Sequence, residues 1–529
     1  MFLYVFLVYA WGFGVHPMGR DYAALAAPND CMPPLVAGVF GWETRVFLTA
    51  SWAYHIVNAV ALYACMLCVF AVTARIVRGP FWLGTLAATL FMANPAYIEA
   101  VLNVSGIEDL LPCLFGLVAI TACVHVGVRP SIVKMVLAFG LVWIASALFR
   151  SNALLPAVAL LYESIVVPIE KKSRARMVGF GAIGLFSIVL HSRFAFLSGG
   201  SVTDRFAPLY FLFYPIGLLP ETARRFHEWP WMGWLGALAV LAILQFVVRK
   251  AGSRVLLFGF LSAAVVRAGG AERSVDPVHL VGAGQLLLAS ALYHVGLAAF
   301  LARVLQSPKW RLTITTATTL WCIVYFAIQI HQDFTWRHAG RRVAEFQSQA
   351  AQYTAAGGTE PIAVCPDYRY YRGAPMSLSE SISFDTLFSK SVPHVSILPL
   401  HYLPSHRMKL TVEQWNPAGA TLRITGVKPI DVACGPDYIL SYPDRTLISE
   451  AARVHLAAED AEGFRLKIEP FHTLPRLVLP AAGGDANQGR DALTARWRAA
   501  LTTLRFPEPE YGTLKVDREP CVLLTQSLY

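Results

Sequence analysis

The sequence predicts a mainly α protein: a polytopic membrane helix bundle of about eleven spans over residues 1–332, followed by a small α+β extramembrane domain over residues 333–529. Three observations predict it. Of 529 residues, 56% are hydrophobic and only 15% charged, whereas a soluble domain carries about 25% charged residues. The apolar residues fall in long runs that stop near residue 332, and the rest reads as an ordinary water-soluble chain. Basic residues gather in alternate short connections between the runs, which is a signal of membrane topology.

An apolar helix needs about 20 residues to cross a hydrocarbon core roughly 30 Å thick, and fewer where it is buried among other helices. Runs that meet this rule lie near 1–15, 47–73, 80–94, 107–127, 131–149, 153–168, 177–198, 232–249, 254–268, 279–305 and 312–331. The first run lacks a basic start and a small-x-small cleavage site, so it reads as a short span and not as a secretory signal. The run 206–219 is short and contains Pro208 and Pro215, so it is expected to lie along the outer surface. With the N-terminus cytoplasmic, Arg75, Arg78, Arg129, Lys134, Lys171, Lys172, Arg174, Arg176, Arg249, Lys250, Arg254, Lys309 and Arg311 all fall inside. The orientation expected is that of a bacterial inner-membrane protein whose C-terminal domain is periplasmic.

The net charge of +10 does not indicate nucleic acid, because no dense Lys/Arg run is interleaved with aromatics and no zinc-finger or RNP pattern occurs. The predicted outer loops, 16–45, 94–106, 150–152, 199–231 and 269–278, collect the acidic and polar residues. Acidic groups at a membrane edge mark a candidate site. Cys65-x-x-Cys68 lies inside a span without further ligands and reads as core packing. Cys31, Cys365, Cys434 and Cys521 fall on the predicted outer side, where a Cys365–Cys434 disulfide is one option among several. Asn103-Val-Ser105 has the form of a glycosylation sequon.

After the last span, residues 333–356 read as an amphipathic helix with Trp336 at the interface and a Gly357-Gly358 stop. Strands are expected at 361–365, 394–400, 408–413, 421–426, 464–468 and 475–480, and a helix near 490–505. This segment contains no nucleophile triad, phosphate loop or zinc-ligand cluster, so acceptor recognition or partner docking is its expected role.

Several short motifs recur in one order. Tyr54-His55-Ile-Val-Asn58 opens a helix; Leu90-Phe91-Met92-Ala93-Asn94-Pro95 precedes Glu99; Ser105-Gly106-Ile-Glu-Asp109 follows. Further on stand Arg150-Ser151-Asn152 with Pro156 and Glu163, Ala271-Glu272-Arg273, and Cys365-Pro366-Asp367-Tyr368 with Tyr371-Arg372-Gly373-Ala374. Together they resemble the GT-C superfamily of integral-membrane glycosyltransferases, most of all the bacterial relatives of the TPR-bearing O-mannosyltransferase branch, although no TPR repeats are present. The resemblance implies a GT-C-like bundle that moves a sugar from a polyprenyl-phosphate donor to a protein or glycolipid acceptor at the outer face, surrounded by membrane lipids.

That chemistry needs a carboxylate for the acceptor proton, cations for the phosphate and an apolar groove for the lipid tail. On the resemblance, Asp21 is the general base and Glu99 the second carboxylate, a pair that leaves a Mg²⁺ or Mn²⁺ ion as an option. Arg273, Arg150 and Arg205 are expected to hold the donor phosphate, and His55, Asn58, Asp109 and Glu272 to orient substrate. The chain departs from the pattern at Asn94, where relatives have His, at Ile107, where they have Arg, and at Arg150 and Asn152, where they have Lys and Glu. These departures keep open a second class of function, a catalytically degenerate GT-C-like scaffold subunit with membrane protein partners. A transporter is disfavoured, because no inverted repeat and few ionisable residues at mid-span are present.

Overall fold

The computed structural model describes most of residues 9–192, then 252–269, 283–305 and 308–355, and short stretches between 362 and 470. The chain gathers into two compact units, one of residues 1–15 and 27–334 and one of residues 16–26 and 335–529.

The first unit is helical, and its last helix runs on past residue 334 into the second. Its elements are α1 (Pro34–Phe47), α2 (Ser51–Val77), α3 (Phe81–Ala93), α4 (Ile98–Leu102), α5 (Ile107–Val128), α6 (Ile132–Leu148), α7 (Leu155–Leu161), α8 (Arg174–Ser192), α9 (Gly252–Gly269), α10 (Leu287–Leu305) and α11 (Pro308–Ala355). Stretches within Ser51–Val77, Val104–Val128, Arg174–His191 and Gly284–Ala302 are long and apolar enough to cross a membrane, and α3 and α6 are shorter apolar helices. At 1.5 Å per residue, the 27 residues of α2 extend about 40 Å, more than one hydrocarbon core. Most of the run 1–15, together with 206–219, 232–249, 475–480, 490–505 and the outer-side cysteines, lies outside the described residues.

Packing follows the side chains. Ile132, Val178 and Leu185 on α6 and α8 are 77%, 71% and 69% exposed, a disposition suited to lipid and not to water. α10 is buried over most of its length. It crosses α9 closely because glycines meet there: a Cβ on Gly259 would stand 2.8 Å from the Leu292 carbonyl oxygen and 3.0 Å from the Gly296 Cα. Small residues let helix backbones approach in this way. Ser131 starts α6 by accepting the Lys134 N–H at 3.3 Å, an N-cap.

The direction of each helix sets two ends of the bundle. Asn152 donates to the Pro112 carbonyl near the start of α5 at 2.8 Å, whereas Tyr162 reaches the Val124 carbonyl near its end. The starts of α2 and α5 therefore share an end with α1, α4 and the turn 150–152. Glu43, Glu99, Glu108 and Asp109 make this the acidic end; Arg75, Lys134 and Arg176 lie at the opposite, basic end.

Some expectations change. The predicted loop 16–45 contains α1, whose buried face is Val36, Ala37, Phe40 and Glu43. The run 153–168 is α7 followed by a π-helical turn at Tyr162–Val166. The span 312–331 and the amphipathic helix after it are one continuous helix of 48 residues, α11, since no proline follows Pro308 to break the ladder.

In the second unit, α11 is followed by β1 (Ile362–Val364), β2 (Tyr370–Tyr371), β3 (Ala374–Pro375), β4 (Val395–Ile397), β5 (His401–Tyr402), β6 (Lys409–Asn416), β7 (Gly419–Thr425), β8 (Val432–Ala433), β9 (Ile439–Ser441), β10 (Thr446–Ile448), β11 (Ala452–Asp460) and β12 (Gly463–Pro470). Six of them form an antiparallel sheet in the order β6-β7-β12-β11-β10-β9. Leu422 faces Leu466 and Ile424 faces Phe464 across β7 and β12, and Ala420, Leu422, Phe464 and Leu466 are buried at alternate positions. Asn416 Oδ1 accepts the N–H groups of Ala418 and Gly419 at 2.9 and 3.0 Å and so closes the β6–β7 hairpin. Strand β11 is not among the strands expected from sequence.

Candidate functional site

The acidic end of the first unit has two polar groupings. The first is a clamp. His55 and Asn58 stand one turn apart on α2, both fully buried. The imidazole places Nδ1 3.3 Å from the Val101 carbonyl and Nε2 3.0 Å from the Val15 carbonyl. Asn58 Nδ2 donates to the carbonyls of Val101 and Asn103 at 3.4 and 2.8 Å. The Val101 and Asn103 acceptors belong to the end of α4, which is too short to satisfy its own last carbonyls. Gly106 completes the fit: a Cβ there would stand 2.1 Å from the Ala100 carbonyl oxygen and 2.9 Å from Asn58 Nδ2. The clamp holds Glu99, 5% exposed, with the Asn103 amide 3.4 Å from its carboxylate. Asn103, the sequon residue, is itself only 4% exposed.

The second is a pocket of about 40 Å³ where four helix ends converge. Glu108, Asp109 and Pro112 come from the start of α5, Ser151 and Asn152 from the turn after α6, Arg267 from the end of α9, and Gly284 and Gln285 from the turn into α10. Each is placed by local chemistry. Pro112 has no N–H, so the Glu108 carbonyl loses its helical partner and adds an acceptor at this end. A Cβ on Gly284 would fall 2.2 Å from Asp109 Oδ2, so the carboxylate rests against bare backbone. Arg267 is 2% exposed and extends Nη1 to Gln285 Oε1 at 3.5 Å. Arg150 adjoins the pocket residues, and burial draws its pKa below the usual guanidinium value; it stays charged at any physiological pH.

Two further polar features lie nearby. Tyr97 hydrogen-bonds Ser290 on α10, and Ser290 Oγ lies 3.1 Å from His294 Nδ1. His294 Nδ1 also faces the Ser290 carbonyl at 2.8 Å, while the buried Nε2 has no hydrogen-bond partner among the described residues. Glu43 on α1 is 1% exposed, and neither carboxylate oxygen has a hydrogen-bond partner among the described residues. Loss of water pushes its pKa up to about 7.

Of the residues singled out from sequence, Glu99, His55, Asn58, Asp109 and Arg150 all lie at this one end. Asp21 belongs to the second unit; it is 1% exposed and its Oδ2 accepts the Met18 N–H at 3.2 Å. Arg205, Glu272 and Arg273 lie outside the described residues. Among the described residues, no group of three or more His, Cys, Asp or Glu is arranged to hold a metal ion. Sequence reasoning did not select Arg267, Gln285, Glu108 or Glu43. The signal for Arg267 is its place at the last turn of an apolar run, just before the predicted outer loop 269–278.

Comparison with protein-family models and with curated proteins returns no match to this chain.

Proposed function

We propose that the protein is a membrane glycosyltransferase that moves a sugar from a polyprenyl-phosphate-linked donor to a protein or glycolipid acceptor at the outer face of the membrane. One observation carries the reading: two adjacent carboxylates and a buried arginine meet from separate helix ends in one pocket. In the reaction, the acceptor hydroxyl oxygen bonds to the anomeric carbon as the bond from that carbon to the phosphate oxygen breaks. The acceptor proton passes to a carboxylate, here Asp109. The electron pair leaves on the phosphate, whose charge Arg267 and Arg150 meet with paired hydrogen bonds. Glu99, held by the clamp, orients the acceptor. The described residues fit a Mg²⁺ or Mn²⁺ ion poorly, and no step here depends on one.

A pocket of about 40 Å³ holds water or a small ion and not a sugar ring. Transfer therefore requires the pocket to widen when donor binds, as lids do in many enzymes. The same small volume favours the second reading, a scaffold subunit that retains the bundle without turnover.

Purified protein supplied with a panel of polyprenyl-phosphate hexoses separates the two. Asp109→Asn and Arg267→Gln are each expected to lower transfer 10²–10³-fold, the usual effect of deleting one group that meets transition-state charge, and Arg267→Gln to raise the donor KM as well. Asp21→Asn and Glu99→Gln test the two carboxylates inferred from the resemblance, and wild-type transfer by both would remove them from the mechanism. If wild type transfers no sugar, and cells lacking the protein show unchanged glycan masses, the scaffold reading replaces the enzyme.

A further inference from the structure

At the basic end, α2, α5 and α6 enclose a second cavity, of about 320 Å³, within the roughly 300–1,000 Å³ of small-ligand sites. Its lining is sorted along the helix axes. Arg75, His125 and Lys134 stand at one level, and Cys68, Val118 and Leu141 stand seven residues away on the same three helices. Seven residues of α-helix rise about 10.5 Å, so each helix carries a polar group at the basic end and an apolar one two turns deeper. Among the described residues, no carboxylate lines the cavity. Arg75 and Lys134 make no ion pair among the described residues, while Glu163, a buried acid at this same end, is taken by Arg176 at 2.7 Å. Leu137 and Val118, 58% and 38% exposed, open the apolar part toward the lipid-facing surface.

We propose that this cavity binds one anionic phospholipid, with its phosphate against Arg75 and Lys134 and an acyl chain along Val118, Leu137 and Leu141. The charge requires an anion, since guanidinium and ammonium groups without a neighbouring acid attract phosphate and offer nothing to the ammonium of a zwitterionic headgroup. The apolar depth requires a lipid, since a free phosphate gains nothing from two turns of apolar wall. Basic pockets between membrane helices bind anionic headgroups on the same principle.

Native mass spectrometry of the full-length protein, titrated with phosphatidylglycerol, phosphatidylcholine or inorganic phosphate, tests the site. Wild type is expected to retain one phosphatidylglycerol at least tenfold more strongly than phosphatidylcholine, and millimolar inorganic phosphate is expected not to displace it. Arg75→Gln and Lys134→Gln should each weaken retention about fivefold, the equivalent of about 1 kcal/mol per cation, and Ala122→Leu should weaken it by filling the cavity without altering charge. Equal retention of the two lipids by wild type overturns the proposal without reliance on any variant. Displacement by inorganic phosphate, or unchanged retention in the double charge variant, overturns it equally.

Discussion

At the basic end of the bundle Glu163 is buried and fully satisfied: Arg176 meets both its oxygens, at 2.7 and 3.0 Å, and the Ser173 N–H adds a third bond at 2.9 Å. At the acidic end Glu43 is just as buried and has no hydrogen-bond partner among the described residues. The fold thus has the means to neutralise a buried acid and does so for Glu163, while Glu43 is left without a hydrogen bond among the described residues. Burying a carboxylate without a partner costs several kcal/mol unless it takes up a proton. A chain that carries this cost at Glu43, at the same end of the bundle as the pocket, points to a use for that carboxylate other than stability, since under-satisfied groups collect at working sites.

The comparison is broken most directly at the paired end. Arg176→Ala leaves Glu163 buried with only the Ser173 N–H and no counter-charge, and should destabilise the protein by about 3–5 kcal/mol. Glu163→Gln combined with Arg176→Gln should recover most of that loss, because the pair's net contribution is small once both charges are gone. Thermal unfolding of the single and double variants in the same detergent measures the coupling. If Arg176→Ala is no less stable than wild type, the ion pair does not hold this end, and the contrast with Glu43 loses its meaning.

The contrast was only half legible in the sequence. Apolar run length located the helices α2, α3, α5 and α6 to within four residues, of which α2 and α5 are long enough to cross a membrane, because a membrane core demands a long unbroken apolar run. α1 was read as loop because Gly38, Gly41, Glu43 and Arg45 interrupt its apolar pattern; the helix forms by burying the very acid that argued against it. β11 was missed because Arg453, His455 and Glu459 dilute its alternation, while its support comes from β12 and β10 on either side. The His55 and Asn58 spacing showed that they share a face, but their partners are main-chain carbonyls more than forty residues away or at the chain start, which leave no side-chain pattern to read. Arg267 gave no sign of burial, since an arginine at the end of an apolar run usually reaches the interface.

Glu43 sharpens the comparison through pH. Its folded pKa, about 7, lies above the ordinary value of 4.5. The folded state therefore holds its proton more tightly than the unfolded chain. Relative stability is highest below about pH 4.5, falls as pH rises toward 7 and stays low above it. The span corresponds to about 3 kcal/mol. Glu43→Gln, which cannot ionise, should remove that slope and leave the protein more stable than wild type at pH 8, with little difference at pH 4. Melting temperatures of the two proteins across that range measure it. A slope shared by both would assign the pH dependence to other groups and place Glu43 among satisfied side chains.

The smallest expected effect separates scaffold from chemistry within the acidic end itself. Asn58→Leu removes two hydrogen bonds to the end of α4 and leaves the carbonyls of Val101 and Asn103 without that donor, a loss of about 1–3 kcal/mol. His55 still faces Val101, so the segment should stay in place while Glu99 loses part of its support. The expected signature is a modest fall in melting temperature together with a fall in transfer much larger than the loss of folded protein explains, because a carboxylate held about 1 Å out of position loses most of its use in a reaction. Stability and transfer falling in proportion would make the clamp purely structural, and the acidic end would then differ from the basic end only in the unpartnered carboxylate of Glu43.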